Sequence, residues 1–135
     1  MAHYAKGANA ERELIHLFFD RGFAVVRIAG SGKTALPAPD LLALSKTKKM
    51  AFECKAWNSK HLAIPLLQME ELIGWCEKAD IDAFVAWKVP RKGWLFLKPE
   101  FFKKTAKNYM ISLKEAFHKG LNLNVVAGVQ ATLPS

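Results

Sequence analysis

Two acidic residues and a lysine in the first half of the chain have the types and spacing of a metal-dependent phosphodiesterase site. Asp40 follows a proline-containing loop, and Glu53 and Lys55 lie in the short apolar run 50–56. Side chains alternate faces along a strand, so we expect Glu53 and Lys55 on one face and Cys54 on the other. Carboxylates are oxygen ligands for Mg²⁺, and an ammonium can position the attacking water or contact the phosphate. The pattern therefore predicts phosphodiester hydrolysis.

A β-hairpin would bring these residues together. Residues 45–49 predict a tight turn centred on Thr47 and Lys48. That turn places Asp40 opposite Lys55 and diagonal to Glu53, all on one face. The flanking runs 41–44 and 50–52 are too apolar for an exposed hairpin, and buried acids require a partner. The alternative at this stage is a set of charged residues that simply face solvent.

Other chemistries have less support in the sequence. The four histidines are scattered, with no pair at helical spacing and no cysteine at finger spacing, which disfavours a zinc site. Ser31 is not in a nucleophile elbow, because Gly30-Ser31-Gly32 lacks the Gly-x-Ser-x-Gly pattern. The run 30–34 resembles the end of a P-loop, but Arg27 stands where its first glycine belongs. Lys33 and the backbone amides of this loop could still hold a DNA phosphate, with an ordinary loop as the alternative.

Composition indicates one basic domain, residues 1–135. The net charge of +8 and pI near 9.6 favour a polyanionic partner, with a generally basic protein as the alternative. Cys54 and Cys76 lie in apolar segments and are expected to be reduced core residues. We expect no membrane association and a cytoplasmic location, because no apolar stretch has membrane-spanning length and the first residues lack the apolar region of a signal peptide.

The coarse element order predicts an α/β fold with helices on both faces of one mixed sheet. Apolar spacing predicts a helix over 8–21, stopped by Gly22, with Glu11 near the middle of its apolar stripe. A second helix is predicted over 66–78, after Pro65. Strands are predicted over 23–29, 40–44, 50–56, 83–89 and 94–97. Residues 121–133 fit a strand or a short helix equally well.

Several segments together resemble the archaeal Holliday junction resolvases of the PD-(D/E)xK nuclease superfamily. They are 6–14, 22–31, Pro39-Asp40 and Glu53-Cys54-Lys55. The resemblance implies a restriction-endonuclease-like fold, a central mixed β-sheet flanked by helices. It also implies a homodimer that depends on Mg²⁺, for which Mn²⁺ may substitute, and uses no small-molecule cofactor. Its expected substrate is four-way junction DNA, nicked on two opposing strands.

The resemblance also implies roles for individual residues. Matching positions make Glu11, Asp40, Glu53 and Lys55 the catalytic centre, together with Ser31 beside the DNA. Metal ligands are expected at Asp40, Glu53 and Glu11, and DNA contacts at Arg12, Arg27 and Lys33.

Two rival functions remain open from the sequence. One is another nuclease of the same superfamily, of restriction or repair type, because core chemistry does not define the substrate. The other is a non-catalytic DNA-binding module that uses the acids only structurally. Apolar residues late in the chain are candidates for a dimer surface, with ordinary core packing as the alternative: Phe101, Phe102, Val126 and Val129.

Overall fold

A computed structural model describes residues 2–28 and 36–128 of the chain. The elements, in chain order, are α1 (Ala2–Phe19), β1 (Ala24–Arg27), β2 (Leu41–Leu44), β3 (Lys49–Lys55), β4 (His61–Pro65), α2 (Leu66–Ala79), β5 (Asp82–Val89), β6 (Gly93–Leu97), a 3₁₀ turn (Pro99–Phe101), β7 (Lys103–Lys104), β8 (Asn108–Ser112), α3 (Leu113–Lys119) and α4 (Leu123–Ala127). None of the helices in these residues is long and apolar enough to cross a membrane.

The main sheet is mixed, as predicted. Its strand order within the described residues is β1-β2-β3-β5-β6. The β3-β5 pair is parallel and the other neighbouring pairs are antiparallel. Helix α2 lies in the connection between β3 and β5, as a crossover between parallel strands requires. The carboxyl ends of β3 and β5 therefore lie side by side.

Each face of this sheet carries its own apolar core. On one face, α1 contributes Leu14 and Phe18, which pack with Leu41, Phe52 and Phe96. On the other face, α2 contributes buried residues that pack with the sheet: Met69, Leu72, Cys76, Ala51, Val85 and Trp87. Burying each large side chain contributes about 1.5–3 kcal/mol. The two helices thereby fix the sheet from both sides, which confirms the predicted α/β arrangement.

A second, smaller sheet was not predicted. It has the order β4-β8-β7, and β4 pairs antiparallel with β8. Its strands carry weak sequence signals, because β4 buries only Leu62 and Ile64 and β7 consists of Lys103 and Lys104. Strands β7 and β8 form a local hairpin, and β4 joins them by pairing with a strand that is distant in sequence.

The ends of the predicted helices differ in detail. Helix α1 begins at Ala2 and ends at Phe19, and Gly22 follows with a φ of 89° that favours glycine. The ambiguous tail is helical at Leu123–Ala127, because the Asn122 side chain accepts a hydrogen bond from Val125 N at 2.9 Å and begins a helix. The rest of the predicted 121–133 segment, from Val129 onward, lies outside the described residues.

The expected dimer surface is partly wrong. Phe102 and Val126 are 8% and 2% exposed and pack inside this chain's own core. Phe101 is half-buried against the core on the α2 face. The core-packing alternative therefore holds for these residues, and Val129 lies outside the described part of the chain.

The hairpin between β2 and β3 forms, but its turn is one residue earlier than predicted. Ser45 N donates to Lys48 O at 2.7 Å, so the turn centres on Lys46 and Thr47. The Ser45 hydroxyl accepts hydrogen bonds from Thr47 N at 3.3 Å and Lys48 N at 2.9 Å. A side chain that satisfies the turn amides in this way selects the register. Leu41 consequently pairs with Phe52, and the predicted placement of Asp40 opposite Lys55 is wrong.

Replacing Ser45 with alanine should lower the free energy of unfolding by about 1 kcal/mol, because two turn amides lose their acceptor. Urea unfolding of the two proteins measures this difference. Thr47→Ala, at the exposed tip of the same turn, is the matched control. Equal stability of the two variants would contradict a register-setting role for Ser45.

Candidate active site

Two of the predicted site residues, Asp40 and Glu53, line a pocket at the carboxyl end of β3. This pocket has a volume of about 220 Å³ and is lined by Pro37, Ala38, Asp40, Glu53, Gln68, Glu71 and Leu72. Ligands of open α/β sheets bind outside the carboxyl ends of strands, which is where it lies. A larger cleft of about 850 Å³ includes Lys48 and Asp82, at the opposite end of the β3-β5 pair, and does not include the acids.

Asp40 is held by its own backbone and side chain. Asp40 N donates to Phe52 O at 2.9 Å, and Asp40 O accepts from Ile28 N at 2.9 Å. The Asp40 carboxylate Oδ2 accepts a hydrogen bond from Cys54 N at 2.9 Å. Hydrogen bonds to β3 and to Ile28, just after β1, thus hold Asp40 next to Glu53, although the hairpin register differs from the predicted one.

Glu53 is a buried acid, 9% exposed. Burial raises the pKa of the Glu53 carboxyl to about 8, and the negative charge of Asp40 adds to this rise while Lys55 opposes it. Two carboxyls that share a small pocket cannot both ionise without cost. A cation between them would relieve this repulsion.

Lys55 and Glu53 share a face, as the alternation of strand side chains predicts. The Lys55 ammonium lies 4.0 Å from Glu53 Oε2 and donates to Gln68 Oε1 at 3.2 Å. Gln68 Nε2 in turn donates to Glu53 Oε2 at 2.9 Å. Cys54 packs on the opposite, α1 face, where burial raises the pKa of its thiol.

Gln68 is the pocket residue that reasoning from the sequence missed. It belongs to α2, whose apolar face was predicted, and precedes the buried Leu72 by one helical turn. A polar residue at that spacing, next to a buried stripe, is the signal that could have found it.

Glu11 is close to the pocket but is held by a different partner. Arg27 Nε donates to Glu11 Oε1 at 2.8 Å, and both side chains are largely buried. Burial and the charge of Asp40 raise the pKa of the Glu11 carboxyl, while Arg27 opposes that rise. Across residues 2–28 and 36–128, no group of three or more His, Cys, Asp or Glu side chains is arranged to hold a metal ion. A direct metal contact by Glu11 therefore stays a prediction.

Of the remaining predicted residues, one is exposed and two lie outside the described part of the chain. Arg12 is exposed on α1 and donates to Asn9 Oδ1 at 3.2 Å. Ser31 and Lys33 lie outside the described residues, so their roles stay predictions.

The donor set fits a hard divalent cation. Mg²⁺ is typically bound through one or two carboxylates and keeps several waters, which matches Asp40 and Glu53. Within the described pocket, the lining residues include neither histidine nor cysteine, the ligands that zinc prefers.

The mixed sheet flanked by helices and the acidic pocket at the end of β3 together place this protein in the nuclease-fold class. The family model described as "Archaeal holliday junction resolvase (hjc)" matches residues 2–133. This chain belongs to the archaeal Holliday junction resolvase family, as its sequence resemblance predicts.

Curated relatives and a solved structure agree with this assignment. The chain is 33% identical over 124 residues to the crossover junction endodeoxyribonuclease Hjc of Archaeoglobus fulgidus, covering 92% of this chain and 90% of the relative. It is 35% identical over 108 residues to the protein of the same name from Methanocaldococcus jannaschii, covering 80% and 77%. The solved structure of Archaeoglobus fulgidus Hjc, a Holliday junction resolvase, superposes with a TM-score of 0.82 at 31% identity, covering 91% and 96%.

The raised pKa of Glu53 predicts how stability depends on pH without metal. The folded protein binds this proton more tightly than the unfolded chain, so the free energy of unfolding should fall as pH rises from the ordinary carboxyl range to about 8. Glu53→Gln removes the repulsion and should stabilise the protein by about 2–4 kcal/mol at about pH 9, and little at about pH 4.

Chemical denaturation in EDTA across this pH range tests the prediction. Glu100→Gln, at an exposed glutamate outside the pocket, is the control and should follow the wild-type profile. A Glu53→Gln profile parallel to wild type would contradict the buried repulsion.

Proposed function

We propose that this chain resolves four-way DNA junctions by Mg²⁺-dependent hydrolysis of phosphodiesters on two opposing strands. Membership of the resolvase family supports the substrate, and relatives over most of the chain are named crossover junction endodeoxyribonucleases. The observation that carries the chemistry is the buried Glu53 carboxyl, beside Asp40 and 4.0 Å from the Lys55 ammonium.

Asp40 and Glu53 are the proposed holders of the cation. Mn²⁺ can substitute, because it also accepts carboxylate oxygen ligands in octahedral geometry. The bound ion supplies Lewis-acid stabilisation of the charge that develops on the scissile phosphate. Lys55 contributes a fixed positive group that orients the attacking water or contacts that phosphate, and positioning of this kind lowers the barrier to in-line attack.

Arg27 and Glu11 form an ion pair, and a DNA phosphate can replace Glu11 as the partner of Arg27. A DNA phosphate competes for the Arg27 guanidinium, because arginine binds phosphate as well as carboxylate. Once Arg27 turns to phosphate, the Glu11 carboxylate is released next to Asp40 and can support the metal site. This exchange reconciles the ion pair in the protein alone with the predicted metal role of Glu11.

Junction recognition is proposed to depend on shape and charge. The net charge of +8 suits binding to phosphates, which positions DNA without reading its sequence. Arg12 is exposed beside the Glu11-Arg27 pair, and Lys33 and Ser31 belong to the neighbouring loop in sequence. A homodimer supplies two active sites, related by twofold symmetry, for the two opposing strands.

Cleavage of a labelled four-way junction and of a linear duplex of equal length tests the proposed function. In Mg²⁺ we expect paired nicks in the junction and little cleavage of the duplex. Asp40→Asn should reduce the rate by about 100-fold or more and leave junction binding intact, because it removes an anionic ligand and not a phosphate contact. Asp20→Asn, at an exposed residue just after α1, is the control.

Each rival predicts a different outcome of this assay. Equal rates on junction and duplex would favour a nuclease of restriction or repair type. Binding of the junction without nicks in either Mg²⁺ or Mn²⁺ would favour a non-catalytic DNA-binding module.

If DNA phosphate replaces Glu11 as the partner of Arg27, removing the Arg27 guanidinium should affect DNA binding and Mg²⁺ binding in opposite directions. Arg27→Met should weaken junction binding by about fivefold or more, because a phosphate contact is lost. The same change should let the DNA-free protein bind Mg²⁺ more tightly, because it frees the Glu11 carboxylate and removes a nearby cation.

Fluorescence anisotropy in EDTA measures junction binding, and thermal stabilisation by Mg²⁺ measures metal binding. Arg91→Met, in the β5-β6 turn, is the matched control. Unchanged Mg²⁺ affinity in Arg27→Met would argue against the release of Glu11.

A further inference from the structure

Gln68 links the Glu53 carboxyl and the Lys55 ammonium through one amide group. Its Nε2 donates to Glu53 Oε2 at 2.9 Å, and its Oε1 accepts from the Lys55 ammonium at 3.2 Å. The direct distance between Lys55 Nζ and Glu53 Oε2 is longer, 4.0 Å. The amide therefore lies between the Lys55 ammonium and a carboxyl that would pair with it directly once ionised.

The chemistry of these three groups allows one orientation of the amide. An ammonium can only donate hydrogen bonds, so the amide oxygen must face Lys55, and the amide nitrogen then faces Glu53 Oε2 as a donor. Glutamate at this position would lack the donor, and lysine would lack the acceptor. Glutamine is thus a side chain that satisfies both partners without adding charge.

Helix α2 holds this amide firmly in place. Gln68 is half-buried in the first turns of α2, next to Met69, which is fully buried in the core on that face of the sheet. The helix begins at Leu66, and Leu66 N donates to Lys107 O at 3.2 Å, which ties its first turn to the smaller sheet. The smaller sheet and the α2 core together set the position of the amide.

We propose that Gln68 is a positioning residue that keeps the Lys55 ammonium from pairing directly with Glu53. The inference rests on the proposed function and deepens it. Held by the amide, Lys55 stays available to water or phosphate, and Glu53 stays available to the cation. Without the amide, Lys55 closes onto Glu53, and the ammonium then competes with Mg²⁺ for the same carboxylate.

Two substitutions at position 68 distinguish a spacer role, in which the Gln68 amide keeps Lys55 apart from Glu53, from a role in packing alone. Gln68→Met keeps the size of the side chain and removes both hydrogen bonds. Gln68→Glu attracts Lys55 away from Glu53 and adds a negative charge to the pocket. Leu67→Met, at an exposed neighbour on the same helix, is the matched control.

Metal binding and cleavage are measured separately on the full chain. Thermal stabilisation by Mg²⁺ alone reports metal affinity without DNA, and single-turnover cleavage of the four-way junction reports the chemical step. Gln68→Met should weaken Mg²⁺ binding and slow cleavage by about tenfold or more each, the range typical of residues that orient metal ligands. Gln68→Glu should bind Mg²⁺ at least as tightly as wild type and still cleave about tenfold more slowly, because its carboxylate pairs with Lys55.

Opposite directions for metal affinity in the two variants, at comparable junction binding, support the spacer role. Mg²⁺ affinity and cleavage within about twofold of wild type in Gln68→Met would overturn it, since typical effects at such positions are larger. If Gln68→Met does not fold, loss of Mg²⁺ binding in Gln68→Glu would overturn it instead. Failure of wild type to nick the junction would reject the proposed function alone, because the Mg²⁺ titrations involve no DNA.

Discussion

The close pairing of the Asp40 and Glu53 carboxyls, which repel each other when both are ionised, is the interaction on which the rest of this structure depends. Burial and the charge of its neighbour raise the pKa of Glu53 to about 8, so the pocket is costly to ionise in the protein alone. The backbone is arranged to hold the two groups together in spite of this cost. Asp40 has its N–H, its carbonyl and one carboxylate oxygen in hydrogen bonds to three different residues: Phe52, Ile28 and Cys54. These three hydrogen bonds keep the Asp40 carboxylate oriented toward Glu53.

Two apolar cores offset the cost of the buried acids. The effective penalty for a buried charge is several kcal/mol, and each large core side chain contributes about 1.5–3 kcal/mol. Cys54 packs with the α1 core while Glu53 and Lys55 face α2, so one strand serves both the core and the pocket. The alternation of side chains along β3 makes this double use possible.

Local patterns in the sequence predict the parts of the site that depend on a single strand or helix. The shared face of Glu53 and Lys55 follows from strand alternation, and α2 follows from the spacing of Met69, Leu72 and Cys76. The register of the hairpin was missed because it depends on which turn amides the Ser45 hydroxyl accepts. The smaller sheet was missed because its strands are short and because β4 pairs with β8 across a long separation in sequence.

Partner choice among charged residues was the hardest feature to predict. Glu11 and Arg27 were both assigned to the site, but nothing in their spacing indicates that each is the other's partner. Gln68 lies thirteen residues after Lys55, and its role depends on how α2 packs over β3. Such contacts are set by the packing of whole elements, which a single sequence does not show.

The charge distribution explains why binding and cleavage should be separable in this protein. The chain as a whole carries +8, yet the pocket holds the acids Glu53 and Asp40, and the Glu11 carboxyl is close enough for the Asp40 charge to raise its pKa. The basic surface attracts the phosphates of DNA, whereas the acidic pocket repels the one phosphate that must enter it. Neutralising the pocket is therefore a condition for cleavage but not for binding. The two carboxylates that are proposed to hold the cation repel phosphate when they are ionised, and a bound cation would remove that repulsion.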